Sequence, residues 1–111
     1  MRRRVVTPTT TRLVALAAAS FLLGSPPAAA RDIHVVVSAA KFGPIAEARV
    51  GDVVVWDNQD IVDHTATSRD GGFDVVLPSG ATTRLKLVKA GRFPVICRYH
   101  PGMDAMITVE K

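Results

Sequence analysis

After residue 30 the chain runs in short apolar stretches broken by Gly, Pro, Asp and Asn. Residues 33–38 (IHVVVS) are rich in β-branched side chains, which favour a pleated, half-buried strand. Residues 46–50 lead into the turn signal Gly51-Asp52, and residues 53–57 (VVVWD) follow it. Residues 65–68 precede Arg69-Asp70-Gly71-Gly72, and residues 73–77 precede Pro78-Ser79-Gly80. Residues 82–88 alternate apolar and polar positions, so one face is expected to be solvated. Residues 92–97 and 105–110 close the chain, and no stretch after residue 30 shows a helical period. Residues 53–55 are continuously apolar, the mark of a strand covered on both sides. Seven to eight short strands with regular turn signals predict an all-β sandwich or barrel.

The first 30 residues follow a different pattern. Arg2, Arg3, Arg4 and Arg12 precede the apolar run LVALAAASFLLG at residues 13–24, with no acidic residue among them. Ser25-Pro26-Pro27 ends the run, and Ala28-Ala29-Ala30 supplies small residues suited to cleavage. That order predicts a secretory signal peptide over residues 1–30, cut after Ala30, and an exported, periplasmic domain over residues 31–111. The run is shorter than the roughly 17–25 apolar residues of a spanning helix, so no stable membrane insertion is expected after cleavage. Arg3-Arg4 hints at twin-arginine export, though the residues that follow fit that signal poorly.

Charge then changes meaning. The chain has 14 basic and 10 acidic residues, and four of the basic ones lie in the leader. The domain that remains is balanced, 10 against 10, so no basic patch supports nucleic-acid binding. A domain of this size buries a modest core and is often helped by a disulfide or a metal. With one cysteine, no intrachain disulfide forms. An unpaired thiol in an exported protein dimerises, is buried and inert, or binds a metal.

The segment Cys97-Arg98-Tyr99-His100-Pro101-Gly102-Met103 favours the metal. Three potential ligands stand at i, i+3 and i+6, and Pro101-Gly102 argues against a helix between them. A tight loop between two strands aims all three at one point. His64 is the candidate fourth donor, placed in a polar turn just before residues 65–68. One thiolate, two imidazoles and a weak thioether form the donor set of a blue-copper electron-transfer site. Met103 and Met106 are rival candidates for the thioether. His34 reads as a surface or structural histidine, and Trp56 and Phe93 as core.

The loop C-x-x-H-x-x-M followed by a strand resembles that of small cupredoxins of the amicyanin, plastocyanin and pseudoazurin type. Phe42-Gly43-Pro44 is similar to the family's F-x-P, and residues 51–58 (GDVVVWDN) to its G-D-x-V-x-W-x-N strand. Asp63-His64-Thr65, Gly72-Phe73-Asp74, Gly91-Arg92-Phe93 and Ile107-Thr108-Val109 also match in order. The resemblance implies a Greek-key β-sandwich holding one type 1 copper through His64, Cys97, His100 and Met103. It implies an electron carrier rather than an enzyme. One departure is Thr65, where many relatives have Asn; its hydroxyl is a possible tie between the two ligand loops.

Redox partner proteins are expected to dock transiently near His100, with Ile61 and Val62 completing an apolar patch, and the protein is expected to act as a monomer. The competing reading is a copper-delivery protein whose metal is cargo. A zinc or metal-free variant of the fold is a third, although zinc rarely takes a thioether. A multicopper oxidase fragment would need more than the chain's three histidines.

Overall fold

The computed structural model describes residues 2–5 and 29–111. The expected signal peptide therefore lies almost wholly outside the described residues. Among them, no helix is long and apolar enough to cross a membrane.

Among the described residues, nine strands form two sheets. The first has the order β2 (Lys41–Phe42), β1 (Asp32–Ser38), β4 (Val53–Asn58) and β7 (Thr82–Lys86). The second has the order β3 (Ala48–Arg49), β9 (Asp104–Glu110), β8 (Gly91–Ile96), β5 (His64–Ser68) and β6 (Phe73–Leu77). The chain passes back and forth between the sheets, so β1 pairs with β4 and β3 with β9 in parallel, while the other pairs are antiparallel. This is the all-β sandwich expected from the pattern of short strands.

The period of two decides which side chains meet. Ile33, Val35 and Val37 of β1 face inward with Val54 and Trp56 of β4. Phe93 and Val95 of β8, Ile107 and Val109 of β9, and Ala66 and Leu77 of β5 and β6 oppose them. Burying each large aliphatic side chain contributes about 1.5–3 kcal/mol. Of the apolar run at residues 53–55, Val54 and Val55 are buried and Val53 is half-buried, and Trp56 beyond it is buried, so β4 is covered on both faces through its middle. Strand β7 alternates exposed and half-buried positions, its outer face solvated.

Two elements differ from the sequence reading. Lys41–Phe42 forms a strand the pattern did not reveal, paired with β1 through the two-residue turn Ala39-Ala40. Both alanines have φ of 53°, as a type I′ hairpin turn requires, without the Gly or Asn that usually signals one. Only Ala48–Arg49 of residues 46–50 pairs, in parallel with the end of β9.

Candidate metal centre

His64 is the first residue of β5, paired with Leu77, rather than part of a preceding turn. Its inward register, shared with Ala66, buries the ring completely. The loop before it is built by Asn58, the last residue of β4. The buried Asn58 amide donates to the carbonyls of Val62 and Leu77 at 3.0 and 2.8 Å, and Asp60 N–H donates to Asn58 Oδ1 at 3.0 Å. These bonds fold residues 58–63 into a fixed arch between the sheets.

The other donors come from the loop between β8 and β9. Cys97 follows the last residue of β8 and continues the inward alternation of Phe93 and Val95. His100-Pro101-Gly102-Met103 then turns back. Met103 N–H donates to the His100 carbonyl at 3.1 Å, and Gly102 has φ of 83°. Proline then glycine at the two central positions is the type II turn signature, because proline presets the first φ and glycine accepts the positive second. Cys97 N–H donates to the Met103 carbonyl at 3.0 Å and closes the loop at its base.

This brings three donor atoms together. His64 Nδ1 and His100 Nδ1 are 3.2 Å apart, and Cys97 Sγ lies 3.8 and 3.5 Å from them. Atoms at separations of 3.2, 3.5 and 3.8 Å lie on a circle of radius about 2.0 Å, close to the ~2.0–2.3 Å of metal–imidazole and metal–thiolate bonds. One metal ion therefore fits among the three without moving them. Met103 is buried in the same cluster as Cys97, whereas Met106 points outward from β9 and is 45% exposed. His34 lies exposed on β1, away from the cluster.

Sequence reasoning missed Asp60. Its Oδ2 lies 2.7 Å from His64 Nε2 and accepts from Ala40 N–H at 2.9 Å, while Oδ1 accepts from Ala39 N–H at 2.7 Å. A carboxylate only accepts, so the His64 proton sits on Nε2 and the Nδ1 lone pair faces the other donors. An acidic residue four positions before a histidine in a loop carries no periodic signal that would have singled it out. Asp60 lies below its usual carboxylate range through the Ala40 N–H and His64. For His64, burial opposes the charged form, but the bond to Asp60 and the Cys97 sulfur outweigh it and raise the imidazole. Burial pushes the Cys97 thiol up, yet the His100 ring, the Thr65 and Tyr99 N–H groups and the His64 ring beside it bring it down to about 6. The sulfur is thus disposed to be a thiolate, the form that binds metal.

Thr65 does tie the ligand loops together. Its N–H points at Cys97 Sγ at 3.4 Å, and its hydroxyl accepts from Arg98 N–H at 2.8 Å.

The sequence profile of a family described as the cupredoxin-like domain matches residues 12–109. No curated protein matches the chain. Among solved structures, a reduced amicyanin variant is similar with a TM-score of 0.60 at 24% identity, over 71% of this chain and 82% of that one. An oxidised amicyanin variant gives 0.58 at 23% identity, over 70% and 81%. A copper-containing nitrite reductase from Thermus scotoductus gives 0.62 at 27% identity over 72% of this chain, which spans only 22% of that enzyme.

Proposed function

The chain belongs to the cupredoxin-like family, and on that premise we propose that it is an exported blue-copper electron carrier of the periplasm. Its fold and donor cluster support one copper ion per chain. In this reading His64, Cys97, His100 and Met103 would hold the copper through two imidazoles, a thiolate and a thioether. The observation that carries it is the spacing of the three donor atoms, 3.2 to 3.8 Å, already matched to a single ion.

Copper would supply a one-electron couple at a site whose soft sulfur and borderline imidazole ligands suit both oxidation states. The protein's part is to hold those ligands still. β5 and the Asn58 arch fix His64, and the Pro101-Gly102 turn and the Cys97–Met103 bond fix the loop. A preset geometry lowers the rearrangement needed on electron transfer. Four protein donors leave no position for a substrate, which supports a carrier over an enzyme. Burial of His64, Cys97 and Met103 argues against a cargo site with exchangeable ligands.

His100 is half-buried, and Pro101, Gly102, Ile61 and Val62 are exposed; Ile61 is 94% exposed. Exposed apolar side chains in the loops that lead to His64 and follow His100 suit brief docking of a redox partner, with the half-buried His100 as the path for the electron. Residues 1–30 act as the leader in this reading, and processing leaves Arg31 as the first residue.

The test is a titration of the purified protein with Cu(II). An intense visible thiolate-to-copper absorption reaching its limit at one equivalent, with reversible reduction, is the expected result. Weak copper binding without that band, or a preference for zinc, would discard the carrier reading.

A further inference from the structure

The side of β5 that faces away from the core carries a second arrangement. Thr65 and Thr67, two residues apart, project to that same side, and Thr65 is nonetheless fully buried. Their hydroxyl oxygens are 3.0 Å apart. The antiparallel register of β5 and β6 sets Asp74 opposite Thr67, and Thr67 Oγ1 donates to Asp74 Oδ1 at 2.8 Å. The same carboxylate oxygen receives Arg98 Nε–H at 3.0 Å. Arg98 is the residue after Cys97, and its backbone N–H donates to Thr65 Oγ1.

The direction of these bonds follows from counting protons. A hydroxyl carries one proton, and an ionised carboxylate carries none. Thr67 gives its proton to Asp74, so the contact between the two hydroxyls is donated by Thr65. The chain therefore runs from Arg98 N–H to Thr65, from Thr65 to Thr67, from Thr67 to Asp74, and is closed by the Arg98 guanidinium. Every donor is used once, all bonds point the same way up to the carboxylate, and aligned chains of this kind polarise one another.

We propose that Thr67, Asp74 and the Arg98 guanidinium are positioning residues for the Cys97 sulfur, acting through a closed hydrogen-bonded ring that fixes the Cys97–Arg98 peptide. The proposal rests on the copper reading above. An exposed Arg–Asp pair alone contributes little to stability. Here it anchors a chain whose other end is the peptide that carries the ligand. Thr65 acts on both sides of the sulfur: its hydroxyl holds the Arg98 peptide, and its own N–H points at Sγ. If the ring opens, the Arg98 peptide loosens and the sulfur shifts relative to that N–H. A hydrogen bond to a ligand sulfur tunes the electronics of the bound metal, so the looser loop alters the site without removing a ligand.

The experiment compares Thr67→Val, which breaks the ring at nearly constant volume, with Thr67→Ser, which keeps the hydroxyl. Two readouts are taken: amide hydrogen exchange of Arg98 in the copper-free protein, and the thiolate-to-copper band with the reduction potential in the loaded one. In Thr67→Val, exchange at Arg98 rises about fivefold, the effect of losing one net hydrogen bond, and the band and potential shift. Thr67→Ser restores both. Unchanged exchange and an unchanged band in Thr67→Val, or changes that serine does not reverse, overturn the proposal. Asp74→Ala replaces an exposed side chain and reads the same two quantities should Thr67→Val fail to fold. If the unaltered protein shows no such band with copper, the copper reading fails, and the Arg98 exchange comparison still decides whether the ring holds the loop.

Discussion

His64 Nε2 sits 2.7 Å from Asp60 Oδ2, and the same carboxylate holds the backbone N–H groups of Ala39 and Ala40. Asp60 thus joins the β1–β2 turn, whose two alanines sit at positive φ, to the ring of a proposed ligand. A carboxylate on the far nitrogen fixes the tautomer and makes the near nitrogen a stronger donor.

Replacing Asp60 with asparagine is expected to lower copper affinity by about 10–100-fold, the usual cost of removing such a partner. Weaker donation favours Cu(I), so the reduction potential should rise. Competition against a chelator and voltammetry measure both. Unchanged affinity would mean that the arch alone holds His64.

Gly102 has φ of 83°, where a Cβ costs roughly 1–2 kcal/mol. Beyond its two chain neighbours, nothing lies within 4 Å of where that Cβ would sit, so the penalty is backbone strain rather than a clash. Gly102→Ala is expected to lower the stability of the copper-free protein by about that amount. Denaturant unfolding measures it, and a neutral result would argue against the type II turn.

The two methionines separate by burial. Met106 is exposed on the outer face of β9, so Met106→Leu is expected to change stability by less than about 0.5 kcal/mol and to leave the potential alone. Met103→Leu is expected to retain copper through His64, Cys97 and His100 while shifting the potential. A potential that moves with Met106 instead would reverse the axial assignment.

Asp52 is buried at the turn before β4, where its carboxylate accepts from Arg31 N–H and Arg49 N–H, each at 2.9 Å, and from the Arg31 guanidinium at 3.3 Å. The two backbone N–H groups, Arg31 first, hold its carboxyl below the ordinary range against the opposing effect of burial. A carboxylate depressed in the folded state stabilises above its unfolded value, about 3.9, and that contribution is lost as pH falls through the folded value. The denaturation midpoint should therefore drop on acidification below about pH 4, and less steeply in Asp52→Asn. Processing after Ala30 would turn the Arg31 N–H into an ammonium facing this carboxylate. A chain beginning at Arg31 should then be more stable at neutral pH than the same chain acetylated, and the difference should vanish in acid.

Much of the site was legible because its spacing is local. Cys97, His100 and Met103 stand within seven residues, and Pro101-Gly102 between them specifies the turn that gathers two of them. The strands were legible from the period of two and the turn residues, with one omission. Lys41–Phe42 was hidden because its turn uses alanines, whose left-handed backbone is held by Asp60 from another loop rather than by their own chemistry. His64 was identifiable by its kind, but its place as the first residue of β5 depended on pairing with Leu77.

The sequence by itself determined an all-β chain with a soft, three-ligand loop and an upstream histidine, since alternation, turn chemistry and donor type act over a few residues. Only the tertiary structure decided which groups hold those ligands. Asp60 reaches His64 because Asn58 folds the arch, Thr67 meets Asp74 through the β5–β6 register, and Arg98 closes the ring because β8 runs antiparallel beside β5. Hydrogen bonds of this kind are set by distances between strands far apart in the chain, and no local pattern of residues encodes them.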